Sequence, residues 1–157
     1  MFCTAPPAWA GDELPQLEAD ALDGTHVTLP GAAGDKPFIL VVAYDRSAKD
    51  ATQQWAHELL KAVGARATIY AVIDAAGAPG FVHGLITSDV AKSAPAAQPQ
   101  HRSNILITFD RAGWPGLAPA GDKHDPAIVV VDGSHHVVLA KREPFGNDAL
   151  AEALKAI

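Results

Sequence analysis

Six residues, Asp45-Arg46-Ser47-Ala48-Lys49-Asp50, place two acids, two bases and a hydroxyl between an apolar run and an amphipathic pattern. A buried strand that ends in a polar turn and opens a helix is a common position for a site in α/β proteins. Ser47 offers a nucleophile, which would need an adjacent base and an oxyanion pocket. No G-x-S-x-G elbow surrounds it, and Ser47 with Asp50 three residues on approximates a capping box, so a capping role is the simpler expectation. Arg46 and Lys49 beside a helix start suit an anion, but Asp45 and Asp50 oppose one, and paired surface charges account for the four residues equally. The histidines, seven in all, raise the question of a metal. His135 and His136 are neighbours in a strand pattern and point to opposite faces, so they do not share an ion. His124 precedes Asp125 and Pro126. No metal site is expected, and no motif requires a cofactor.

The chain of 157 residues is 48% hydrophobic and 19% charged, the composition of a globular protein large enough to bury a core unaided. Eighteen acidic residues against 12 basic ones give a net charge of −6, with no basic run. Nucleic-acid binding is therefore not expected. No apolar stretch approaches the length of a membrane span, so membrane insertion is not expected either. The single cysteine, Cys3, excludes an internal disulfide, an intramolecular dithiol and a Cys-rich metal site. Residues 1–13 read as a flexible N-terminus or a signal-peptide remnant, because Ala8-Trp9-Ala10 has the small-x-small pattern of a processing site. The first alternative leaves the protein cytoplasmic, the second periplasmic or secreted.

Residues 14–30 alternate apolar and polar about Asp23-Gly24, the pattern of a hairpin. Phe38 to Tyr44 reads as a strand buried on both faces. The spacing of Ala48, Ala51, Trp55, Leu59 and Ala62 predicts a helix over 48–63, stopped by Gly64. Further strands are expected at 67–73, 104–109 and 127–131. A short helix is expected near 80–92 and a Pro-containing loop at 93–103. Asp132-Gly133 forms a second hairpin into a strand over 135–141, and Asn147 caps a last helix bearing Leu150, Leu154 and Ile157. The order, hairpin, β-α-β-α-β, hairpin and helix, predicts a mixed sheet flanked by helices.

With those elements in place, the stretch LPQLEADALDGTHVTLP followed by KPFILVVAYD resembles the opening of the thioredoxin superfamily in its thiol-oxidoreductase and peroxiredoxin-like branch. ITFDRAGWPGLAPAGDKHDPAIVVVDGSHHVVLAKREPF is similar to the second half of that branch. The resemblance covers residues 14–157 and implies a single thioredoxin-like domain there. Within the superfamily, Ser47-Ala48-Lys49 and NILITFDRAGWPG look like motifs of the exported bacterial YtfJ family. A further similarity extends to cysteine-free mitochondrial ATP-synthase assembly factors.

The resemblance implies that Pro126 stands where the superfamily has a cis-proline, so the Asp125–Pro126 bond is expected to be cis. It also implies that the Asp45–Asp50 turn is the redox corner. That corner needs a thiolate at a helix start, and this turn has no cysteine. No thiol-disulfide oxidoreductase or peroxidase activity is then expected. The resulting expectation is a non-catalytic domain that binds a protein or peptide along Asp45, Arg46, Ser47, Lys49, Trp114, Asp125 and Pro126. Trp114 either grips the partner or plugs the sheet. The alternative is an enzyme that borrows a partner's thiol, or acts on a small molecule through Ser47 and its charged turn.

Overall fold

Six consecutive buried residues, Phe38–Ala43, form the strand β3 at the centre of the molecule. The computed structural model describes residues 13–14, 16–21, 24–44, 46–64, 66–74, 105–108, 124–142 and 145–157, with only the backbone of Arg46 and Lys49. Their strands make one seven-stranded mixed sheet, whose members are β1 (Leu17–Ala21), β2 (His26–Leu29), β3, β4 (Thr68–Asp74), β5 (Ile105–Thr108), β6 (Ala127–Val131) and β7 (Val137–Arg142). The spatial order is β2-β1-β5-β4-β3-β6-β7. β3 pairs in parallel with β4, and β4 with β5, whereas β6 runs antiparallel beside β3.

Both hairpins form where the sequence places them. β1 and β2 pair with Leu17 opposite Leu29 and Ala19 opposite Val27, which puts Leu17, Ala19 and Ala21 on the buried face. The Asp132-Gly133 turn joins β6 to β7, with Asp132 Oδ1 accepting from the backbone N–H of Ser134 and of His136, each at 2.9 Å. One face of the sheet packs Phe38, Leu40, Val42, Val72 and Leu106, with the Phe38 and Tyr70 rings meeting edge to face at 5.8 Å. The opposite face packs Ile39, Val41, Ile128 and Val130 beneath the helices α1 (Lys49–Val63) and α2 (Asn147–Lys155). There, the Trp55 indole meets the Phe145 ring edge to face at 5.2 Å. Among the described residues no helix is long and apolar enough to cross a membrane. The helix expected at 80–92, the loop at 93–103 and Trp114 lie outside the described residues.

Three local expectations are corrected. The inner face of α1 runs Ala48, Thr52, Trp55, Leu59 and Val63, while Ala51 is half-buried and Ala62 exposed. Val63 lies four residues beyond Leu59 and buries more apolar surface than Ala62 would. Thr52 can be buried because its hydroxyl donates to the Ala48 carbonyl at 2.7 Å. Neither helix has the expected residue in its capping position: α1 is preceded by a 3-10 turn (Arg46–Ala48) and begins after Ala48, and α2 begins after the extended Gly146. The extra turn carries Ser47 one position upstream of the capping residue. Gly64 does end α1, at φ 58°, with its N–H on the Leu60 carbonyl.

The tip of the β6–β7 hairpin is fastened to the segment that leads into β3. The His135 Nε2–H donates to the Gly34 carbonyl at 2.6 Å, and the His135 carbonyl accepts from the Leu14 N–H at 2.8 Å. Gly133 is the point of closest approach, since a Cβ there would lie 2.5 Å from the Asp35 carbonyl oxygen. Gly133→Ala should therefore destabilise the fold by about 1–3 kcal/mol. Gly31→Ala, with nothing within 4 Å of its Cβ, should stay within about 0.5 kcal/mol. Urea unfolding of the two variants beside the parent chain checks both.

Candidate functional site

The polar turn after β3 and the segment before β6 meet because β3 and β6 are antiparallel neighbours. Register pairs Val42 with Ala127, so the C-terminal end of β3 lies beside the N-terminal start of β6. Tyr44 and the 46–48 turn leave one strand there, and His124-Asp125-Pro126 enters the other. Ser47 and His124, 77 residues apart, are thereby brought into contact, with Ser47 Oγ 2.5 Å from His124 Nδ1. Both side chains are exposed, while Ala48 and Pro126, close to them in sequence, are buried. A neutral imidazole whose Nδ1 is unprotonated accepts from the serine hydroxyl, the polarity a general base requires.

A second set of contacts braces this corner. Ala127 pairs with Arg142 on β7, and Arg142 reaches back over the strand end. Its Nε–H donates to the Asp125 carbonyl at 2.9 Å. Its guanidinium carbon lies 5.2 Å from the centre of the Tyr44 ring, a cation–π distance. Burial pushes the Tyr44 phenol well above its ordinary range; Asp74, at the end of β4, adds to the rise, and Arg142 partly offsets it.

No family model matches the chain, and no curated protein matches it by sequence. Solved structures do match. A thiol:disulfide interchange protein from Bacteroides sp. has a TM-score of 0.66 at 16% identity, over 93% of this chain and 88% of that one. A peroxiredoxin-like protein from Aquifex aeolicus gives 0.63 at 13%, over 98% and 90%. The fold is thioredoxin-like. The pneumococcal exposed lipoprotein thioredoxin Etrx1 of Streptococcus pneumoniae gives 0.58 at 18%, over 91% and 100%. At these identities the likeness carries the thioredoxin-like fold alone.

Of the residues expected to line a groove in this thioredoxin-like domain, Ser47, Asp125 and Pro126 are described, and they gather at one corner. Arg46 and Lys49 contribute their backbone to the same turn, and Asp45 and Trp114 lie outside the described residues. The expected cis bond is not at Pro126: the cis peptide bond among the described residues is Leu29–Pro30. The resemblance locates the residue before β6 but not the isomer of its peptide bond, and X-Pro bonds favour trans by about 0.5–1 kcal/mol. Ser47 is not the N-cap residue of α1, which is Ala48, and its hydroxyl contacts His124. His124 is the residue that sequence reasoning passed over, having been weighed only as a metal ligand. Its place two residues before Pro126 was the available signal.

The hairpin histidines have structural partners. His135 adopts φ 69° and is tied to Gly34, and His136 Nδ1 lies 4.0 Å from Asp132 Oδ1. On the β1–β2 hairpin, His26 sits between Asp20 at 2.8 Å and Glu18 at 3.5 Å, and the bond to Asp20, with a smaller contribution from Glu18, raises its pKa. Among the described residues no group of three or more His, Cys, Asp or Glu is placed to hold a metal.

The chain has two tyrosines, Tyr44 and Tyr70, and burial raises both phenols. The unfolded chain loses these protons at about pH 10, while the folded chain still holds them. The stability they contribute is therefore complete below that pH and falls as the pH rises beyond it. An ultraviolet titration should show little native tyrosinate at a pH where the urea-unfolded chain is largely ionised. Native ionisation at the ordinary tyrosine pH would contradict the assigned burial.

Proposed function

We propose that this thioredoxin-like domain works without thiol chemistry of its own and binds a protein or peptide partner at the corner between β3 and β6. The observation that carries this reading is the exposed Ser47–His124 pair, which brings the turn after β3 against the segment entering β6. It puts exposed polar side chains at the strand-to-helix turn where related folds do their work. The chain's one cysteine, Cys3, is far from this turn in sequence. Asp45, Arg46, Lys49, Trp114 and Asp125 are proposed to complete the lining. A YtfJ-like role in the cell envelope fits the Ala8-Trp9-Ala10 pattern and the likeness to an exposed lipoprotein thioredoxin.

A photocrosslinking residue tests this reading. It is placed at exposed Asp50, or for comparison at exposed Lys61 near the other end of α1, in a Cys3→Ser chain produced in its native cells. One discrete adduct from position 50 and none from position 61 is expected. Equal capture at both, or none at 50, would overturn the corner as a binding site.

One observation favours a second reading, in which the domain is an enzyme. His124 Nδ1 on Ser47 Oγ is the nucleophile-and-base contact that sequence alone could not supply. Ser47 also stands beside the start of α1, one residue before its capping position at Ala48. If this pair acts on acyl donors, a fluorophosphonate should label the chain, and Ser47→Ala should abolish labelling. His124→Gln should slow it by roughly 10²-fold or more. Absence of labelling in the parent chain disposes of the enzyme.

A further inference from the structure

We propose that Arg142 is the positioning residue of this corner, holding His124 against Ser47 by tying the Tyr44 ring, three residues before Ser47, to the Asp125 carbonyl, next to His124. The inference rests on the corner being the working site and asks what keeps its two halves in register.

Pro126 has no N–H to offer a neighbouring strand, so the β6–β7 ladder cannot extend past it in the ordinary way. The Asp125 carbonyl lies just beyond that interruption. Arg142, opposite Ala127, gives that carbonyl a side-chain donor at 2.9 Å, in a partly buried setting. Alternation along β7 places Arg142 on the face of Ala140, which, like Tyr44, packs against the cluster holding Val42. The guanidinium therefore reaches the Tyr44 ring on β3 and the Asp125 carbonyl before β6 at once. Tyr44 lies three residues before Ser47, and Asp125 is next to His124. One planar cation thus spans the two chain segments that carry the pair. A lysine, a point charge on a flexible stem, could not hold both contacts with the same geometry.

The test reads His124 directly and needs no partner. Histidine side-chain nitrogens are observed by NMR in the full chain labelled with ¹⁵N-histidine, with His124→Gln identifying the resonance. In the parent chain Ser47→Ala should shift the Nδ1 signal of His124. In Arg142→Met that shift should be lost, and in Arg142→Lys it should return only in part. An undiminished shift in Arg142→Met would overturn the proposal. Should Arg142→Met fail to fold, an undiminished shift in Arg142→Lys overturns it. An absent shift in the parent chain also overturns it, because there is then no contact to position. A merely structural arginine would lower the unfolding midpoint and leave the Ser47→Ala shift intact. Crosslinking from position 50 is read separately, so a corner that is well positioned but binds nothing is told apart from one that Arg142 does not position.

Discussion

Burial of β3 on both faces is the constraint from which the rest of the structure follows. A strand with no exposed side chain needs an apolar layer above and below it and a hydrogen-bonded neighbour along each edge. β4 supplies the parallel edge and β6 the antiparallel one. Trp55, Leu59 and Val63 of α1, with Ala153 of α2, cover one face. The polar chain that leaves β3 has to emerge beside the start of β6, because antiparallel neighbours exchange ends. The corner that carries Ser47 and His124 is in this sense a by-product of making β3 central.

Much of this was legible in sequence because the signals are local. The alternation of Leu17, Ala19 and Ala21 about Asp23-Gly24, the unbroken run 38–43, and Asp132-Gly133 between two apolar strands each specify an element from neighbouring residues alone. The α1 pattern was nearly right, and its error is physical. Three- and four-residue steps are both helical, and the choice of Val63 over Ala62 depends on what the sheet offers the side chain.

The site was less legible. Ser47 looked like a cap because capping is read from three adjacent residues, whereas the observed turn inserts a residue and sends the hydroxyl elsewhere. His124 and Arg142 reach this corner through register. Ala127 faces Val42 on one side and Arg142 on the other, and no short window of sequence contains all three. The isomer of the bond before Pro126 was likewise inferred from a resemblance in position, which says nothing of the local environment that selects it. What the sequence did establish about chemistry came from composition: one cysteine, Cys3, which precedes every described strand and helix, leaves the turn after β3 without a cysteine of its own.

The separation of 77 residues between Ser47 and His124 has a consequence for the protein's synthesis. The ribosome delivers β3, the 3-10 turn and α1 long before β6, so a nascent or truncated chain presents the serine with no imidazole opposite it. Contacts so distant along the chain form late, once nearer pairings have reduced the entropy of closure. A half-made or partly unfolded copy therefore lacks the Ser47–His124 contact, and that contact marks a finished molecule off from an unfinished one.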